Sequence, residues 1–303
     1  MNGVSCIFTV YNKSKCLEKM INSLKSQMGN LDLDYIFVND GSTDNSLEVL
    51  NTLCRDLPNS VIVSQENQGP SVAVNTGLKL ATKQWVYLGD SDDYIYPDSI
   101  ITLVELAKQY NSKMSHGRHV NDVTLEKTQF NHKVTVYDDA LEKALSFHPC
   151  GGGLIVDREL LVRIGGCDER VFVQDYSISL RLAQHTKFVT TNKITSCNID
   201  LNQERLSSNK LQENHDTAYA RYLFMQDNMH IARKYKSLTL RKQMAKSWSW
   251  YRKQRFIPRV WSKYFLRYIL SKFTTPLRDE TMELWMRERI EVYDKSKLRK
   301  FVS

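Results

Sequence analysis

The sequence predicts an α/β fold: a mostly parallel sheet flanked by helices, followed by a C-terminal helical region. Three observations carry this. Short apolar runs alternate with segments of helical spacing over the first hundred residues. Three of those runs or their ends carry polar clusters, at 9–12, 39–44 and 90–93. The charge also changes sign along the chain, so the last third has a different character from the rest.

The elements follow in order. Residues 4–10 are an apolar run of the kind a buried strand shows. Residues 13–27 carry Leu17, Ile21 and Leu24 at helical spacing. A second run, 35–38, ends in Asn39-Asp40-Gly41-Ser42. Residues 46–53 read as helix, 61–64 as strand and 71–81 as helix. Residues 85–88 are a fourth strand ending in Gly89-Asp90-Ser91-Asp92-Asp93. Residues 97–110 are helical, with Pro97 near the first turn, where proline is tolerated. Ligands of such sheets bind at the carboxyl ends of strands, and the three polar clusters fall there. The middle, 112–209, is less regular: it holds Gly151-Gly152-Gly153, an apolar run 154–156 and a helix starting near Asp175. From 211 onward the chain reads as successive helices broken near Pro258 and Pro276.

Composition bounds the function classes. The chain has 303 residues and a mass of 35.3 kDa, enough for one large α/β domain and an appendage. An apolar content of 42% excludes a wholly disordered chain. No run approaches the length of a transmembrane helix, and the N-terminus lacks the order of a signal peptide. Cys6, Cys16, Cys54, Cys150, Cys167 and Cys197 stand singly, without CxxC, and read as reduced thiols of a cytoplasmic protein.

The net charge of +8 is unevenly divided. Residues 233–303 hold twenty Lys and Arg against six Asp and Glu; residues 1–232 hold twenty-two against twenty-eight. Between 233 and 272 there are thirteen basic residues, no acidic one and nine aromatics. Such a mixture suits an anionic membrane surface or a nucleic acid. Ile257, Trp261, Tyr264/Phe265 and Tyr268/Ile269 recur at helical spacing with Lys263 and Arg267 on another face. The sequence therefore points to peripheral contact with an anionic membrane at its cytoplasmic face. The alternative is that these aromatics pack on the rest of the chain or on a second subunit, so a homo-oligomer is open. The acidic first two thirds fits a nucleic-acid-binding protein poorly, and no nucleic acid is expected.

Asp90-Ser91-Asp92-Asp93 is the chemical centre of the sequence. Three carboxylates in four residues repel one another and raise their pKa values unless a cation joins them. Oxygen ligands favour Mg²⁺ or Mn²⁺, whereas the bland alternative is an acidic turn or helix cap.

In this order the segments Phe8-Thr9-Val10-Tyr11-Asn12, Val38–Asp44, Glu66–Gly77, Leu88–Asp93, Gly152-Gly153-Leu154, Gly165–Glu169 and Gln174–Arg181 resemble those of family 2 nucleotide-sugar glycosyltransferases of the GT-A type. The resemblance spans about 1–210, two thirds of the chain. It implies a GT-A domain over 1–210, with a nucleotide-binding half at 1–98 and an acceptor half at 99–210, and a basic helical region at 211–303. It implies an inverting, metal-dependent sugar transferase for a surface polysaccharide or lipo-oligosaccharide. The donor would be UDP-linked and the acceptor a glycan or a lipid-linked molecule. Thr9, Tyr11, Asn12, Asp40, Gly69, Asn75, Asp90 and Ser91 would bind the nucleotide or donor. Asp40 would bond the base, and Asp90 and Asp92, the DxD pair, would hold Mn²⁺ or Mg²⁺. Asp175 would be the catalytic base. His148, Gly152, Gln174 and Arg205 would face the acceptor or a closing loop, and His215 would offer a third metal contact. The sequence departs from the family at Thr9, usually proline, Val74, usually arginine, and Gln174, usually glutamate. His116 and His119 have no matching second pair, so no zinc site is expected.

Overall fold

A computed structural model describes residues 2–121, 132–146, 153–200, 209–254, 262–273, 279–291 and 298. It divides into two compact units. The first is built mainly from Met1–Ala140 and Cys150–Glu204, the second from Leu141–Pro149 and Arg205–Lys300. The division thus differs from one at 210. It falls at 204, and Leu141–Pro149 leaves the expected acceptor half for the helical unit. Within that unit Leu141, Ala144 and Leu145 are buried, and the Arg221 guanidinium donates to the Leu145 carbonyl at 3.4 Å.

The first unit opens with β1 (Asn2–Val10), α1 (Ser14–Lys25), β2 (Leu31–Asp40), α2 (Ser46–Leu53), β3 (Ser60–Gln65), α3 (Pro70–Leu80), β4 (Trp85–Asp90), β5 (Asp93–Ile95) and α4 (Ser99–Gln109). Then come β6 (Met114–Val120), β7 (Val134–Tyr137), β8 (Leu154–Asp157), α6 (Arg158–Arg163), α7 (Gln174–Leu182) and β9 (Phe188–Asn198); between β7 and β8 the chain forms α5 (Ala140–Ser146), which from Leu141 onward belongs to the second unit. The strands form one sheet in the order β3-β2-β1-β4-β8-β6-β9-β5, with β7 paired to β9. The pairs β3-β2, β2-β1 and β1-β4 are parallel, as predicted. Beyond β4 the sheet is mixed: β8 runs antiparallel to β4 and β6, and β5 and β7 run antiparallel to β9.

The inner parallel strands β1, β2 and β4 are buried along their apolar stretches, which is why those stretches are continuous rather than alternating, whereas β3 at the edge leaves Val61 half exposed. Phe8 stacks on Phe37 with ring centres 5.6 Å apart and meets Tyr87 at 6.1 Å, joining three adjacent strands in one core. Leu17, Met20, Ile21 and Leu24 bury one face of α1; Ile100, Leu103, Val104 and Ala107 bury one face of α4. In α3 a Cβ on Gly77 would lie 2.5 Å from Ile7 Cγ2. Glycine costs about 1 kcal/mol in a helix, and here it lets α3 rest directly on the sheet.

The second unit holds α8 (Lys210–Asp227), α9 (Arg233–Gln254), α10 (Lys263–Phe273) and α11 (Asp279–Glu291). Ile257, Trp261 and the expected breaks at Pro258 and Pro276 lie outside the described residues. Tyr264 and Phe265 do not form an outward stripe. Phe265 packs on Trp248 of α9 at 5.1 Å, and Tyr264 packs on Tyr251 at 4.9 Å. Burying aromatic area between two helices outweighs leaving it in water. On α10, Arg267 and Lys263 instead engage Glu288 of α11. No described helix is long and apolar enough to cross a membrane.

Candidate functional site

β1, β2 and β4 end level with one another because their register is parallel: Val10 pairs with Asn39, and Thr9 with Asp90. The rim so formed is tied by side chains. Ser91 Oγ donates to the Thr9 carbonyl at 2.7 Å. Asn12, in the left-handed region at φ 54°, accepts at Oδ1 from the Thr43 amide at 2.8 Å. Its own amide donates to Ser42 Oγ at 3.1 Å. Tyr11, 36% exposed, follows the end of β1.

Asp40 closes β2 and is buried. Its Oδ1 accepts from Gln65 Nε2 at 2.8 Å and from the Gln68 amide at 2.9 Å, and its Oδ2 accepts from the Gly69 amide at 2.9 Å. It therefore pins the loop that leads into α3. Gly69 caps that helix with φ 88°, a conformation glycine adopts without strain. Asn75 is a clamp. It donates to the Cys167 carbonyl at 3.0 Å and to Glu169 Oε1 at 2.8 Å, and accepts from the Cys167 amide at 2.8 Å. Val74, where family resemblance leads one to expect arginine, is buried in the core.

The acidic turn between β4 and β5 brings three differently treated carboxylates together. Asp90 keeps surface open to solvent, yet it is densely surrounded by protein, as a residue lining a concavity is. That desolvation, with the charges of Asp93, Asp175 and Asp92, pushes its pKa well above the usual carboxylate range, against the opposing charge of His119. Asp92 is buried, and its Oδ2 lies 2.7 Å from Lys13 Nζ. Asp93 is buried, and its Oδ2 lies 3.0 Å from His119 Nδ1, while His119 Nε2 lies 2.7 Å from Asn198 Oδ1. Burial pulls the His119 pKa down, but the hydrogen bond and charge of Asp93 help carry it above the ordinary histidine value.

Asp175 is the second residue of α7 and is near enough to Asp90 for their charges to couple; Gln174 opens the same helix. The structure thus brings Thr9, Asp90, Ser91, Asp92 and Asp175 into one neighbourhood, and uses Asn12, Asp40 and Asn75 to fix the loops around it. His148, Gly152 and Arg205 lie outside the described residues. His215 is in α8 of the second unit, its Nδ1 2.7 Å from Asp216 Oδ1. Sequence reasoning missed Lys13 and His119. Lys13 follows the 9–12 cluster directly and carried a local hint. His119 reaches Asp93 only through the pairing of β6 with β9 and of β9 with β5, which no local pattern reveals.

Among the described residues no three His, Cys, Asp or Glu side chains gather closely enough to hold a metal by themselves. Mg²⁺ and similar hard ions take one or two carboxylates and complete their shell with phosphate and water. Asp90, solvent-open and crowded by negative charge, has the donor chemistry for such an ion. Asp92 has it only when released by Lys13.

The family model described as glycosyl transferase family 2 matches residues 5–165, just over half of the chain. A glycosyltransferase of Escherichia coli (strain K12), YibD, is 37% identical over 106 residues, which are 35% of this chain and 30% of that protein. Matched segments span between 16% and 46% of the length of such curated relatives. S. aureus TarS 1-349, solved in complex with UDP-GlcNAc, superposes with a TM-score of 0.69 at 16% identity. The overlay covers 96% of this chain and 88% of that one. The mannosyltransferase PcManGT from Pyrobaculum calidifontis, solved with GDP-Man and Mn²⁺, gives 0.61 at 16% identity, covering 95% and 87%. The β1–α4 alternation and the level strand ends are thus those of a GT-A fold, and the chain belongs to glycosyl transferase family 2.

Proposed function

We propose that this chain transfers a sugar from a UDP-linked nucleotide sugar to a hydroxyl group of a glycan or lipid-linked acceptor, with inversion at the anomeric carbon. The observation that carries the reading is the level rim at the ends of β1, β2 and β4, where Thr9 pairs with Asp90 and Val10 with Asn39, with Asp175 at the start of α7 close enough to act on the Asp90 charge. Solved structures of the same fold hold UDP-GlcNAc in one case and GDP-Man with Mn²⁺ in another, which supports a nucleotide-sugar donor here.

Each residue has a part. Thr9 and Tyr11 form the wall beside the nucleotide. Three of the four acceptor positions of the Asp40 carboxylate hold the 65–69 loop, leaving one for an N–H of the base. Asn12, Gly69 and Asn75 shape that wall, and Ser91 fixes the acidic turn to β1. Asp90, with Asp92 when Lys13 gives way, would hold Mn²⁺ or Mg²⁺, whose charge would stabilise the departing diphosphate. Asp175 accepts the proton of the acceptor hydroxyl as that oxygen attacks the anomeric carbon. It stands in the first turn of α7. With one base and no second carboxylate assigned as nucleophile, a single displacement follows, through an oxocarbenium-like state.

The basic, aromatic stretch 233–272 supports contact with an anionic membrane, which would put a lipid-linked acceptor within reach at the cytoplasmic face.

The test is a thermal-shift panel with UDP, GDP, TDP and CMP, each with and without Mn²⁺. A ligand at 100 times its Kd adds about 2.7 kcal/mol to stability. Stabilisation by UDP, greater with Mn²⁺ and diminished in Asp90→Asn, is the expected result. No shift with any nucleotide overturns the reading.

A further inference from the structure

We infer that the face of α10 formed by Leu266, Leu270 and Phe273 inserts into an anionic bilayer, and that Tyr264 and Phe265 of the same helix do not. The inference deepens the membrane contact proposed above and rests on it. Leu266, Leu270 and Phe273 recur at i, i+4 and i+7, so they share one side of the helix. They are 43%, 45% and 80% exposed, whereas Tyr264 and Phe265 on other sides pack against Tyr251 and Trp248 of α9. A soluble surface tolerates single exposed apolar residues; three in register, ending in a phenylalanine, form a stripe with a use.

Charge complementarity selects the occupant. α10 carries Lys263, Arg267 and Lys272 and no acidic residue. Lys263 and Lys272 are exposed, as are Arg252 and Lys253 in the last turn of α9, the helix that α10 packs against. The acidic partner near α10, Glu288, is taken up by Arg267 and Lys263. A shallow apolar stripe bordered by lysine and arginine is the pattern of a helix lying in the headgroup region, apolar side down. A protein groove would satisfy the leucines and phenylalanine but would need a matching acidic rim, whereas anionic lipid supplies both at once.

The experiment uses the full chain at low salt and co-sedimentation with vesicles of phosphatidylcholine alone or mixed with phosphatidylglycerol. The wild type is compared with Leu266→Ser/Leu270→Ser/Phe273→Ser. All three positions are exposed, so the circular dichroism and the UDP-induced thermal shift should match the wild type. The expected result is binding to the phosphatidylglycerol vesicles that weakens roughly tenfold or more in the triple variant, since one buried leucine or phenylalanine is worth about a factor of ten. Equal binding by the triple variant overturns the inserted face while leaving an electrostatic membrane contact. A wild type that ignores both vesicles overturns the membrane contact itself. A lipid-free dimer that dissociates in the triple variant shows that a second copy covers this face, and also overturns the inference.

Discussion

Lys13 Nζ lies 2.7 Å from Asp92 Oδ2, and both side chains are largely withdrawn from water, at 16% and 10% exposure. The pair joins the residue before α1 to the turn after β4, and places a positive charge inside a group of carboxylates that repel one another. Replacing Lys13 by methionine keeps the stem and removes the charge. Losing one member of a buried pair leaves the other uncompensated, so Lys13→Met should lose about 2 kcal/mol, somewhat less than for a fully buried pair. Mn²⁺ should then raise the melting temperature of Lys13→Met more than that of the wild type. Urea unfolding with and without MnCl₂ checks both parts, and equal Mn²⁺ responses would show that the ammonium does not stand where a metal would act.

Asp175→Asn should separate binding from chemistry. The amide preserves size and can still hydrogen-bond, but cannot take a proton from the acceptor. Transfer should fall by about 10² to 10⁴, the usual contribution of a general base. The UDP-induced thermal shift should persist. Near-normal turnover would remove Asp175 from the mechanism.

Gly77→Ala sets two effects against each other. Alanine favours a helix over glycine by about 1 kcal/mol. The new methyl, however, would sit 2.5 Å from Ile7 Cγ2 on β1. Overpacking a core costs about 1–3 kcal/mol, so the clash should win and the variant should be net destabilised. Equilibrium denaturation decides the sign; a stabilised variant would mean that α3 can lift off the sheet at little cost.

Glu288 gives a pH signature to the second unit. Hydrogen bonds from Arg267, and further contact with Lys263, hold its carboxyl at about 2, below the usual 4.5. A depressed folded value means that the stabilisation is present above about 4.5 and is lost as pH falls toward about 2. Because solvent reaches the pair, the contribution at neutral pH should be about 1 kcal/mol. Glu288→Gln should show that deficit at pH 7, and the gap to the wild type should close as the pH is lowered from 5 toward 2.

What the sequence reveals and what it hides divide along local and non-local lines. Strand 35–38, helix 46–53 and strand 85–88 are legible because a doubly covered parallel strand must be apolar throughout and a surface helix must be apolar on one side. β5 is not legible. It is three residues long, and its pairing of Asp93 with Asn198 depends on residues a hundred positions away. The carboxylates at the end of β4 are legible as a cluster, but their individual states are not: Lys13 and His119 set them from distant parts of the chain. The Tyr264 and Phe265 spacing marks as apolar a side of α10 that is half-buried. Periodicity cannot say which partner covers that side, and the partner is α9 rather than solvent or lipid.

Leu141–Pro149 lies in sequence between two stretches of the sheet unit but belongs to the helical unit. The two units are therefore interleaved rather than strung in series, and no single cut separates them. A chain stopped after Glu204 would keep Leu141, Ala144 and Leu145 while losing the helices that accompany them, α8 with Arg221 among them. During synthesis the same segment leaves the ribosome some sixty residues before its partners, so it must wait, uncovered, until they arrive. Fragments ending near 204 should thus be sticky and poorly soluble, and removing the helical unit whole means taking Leu141–Pro149 out of the middle of the chain as well.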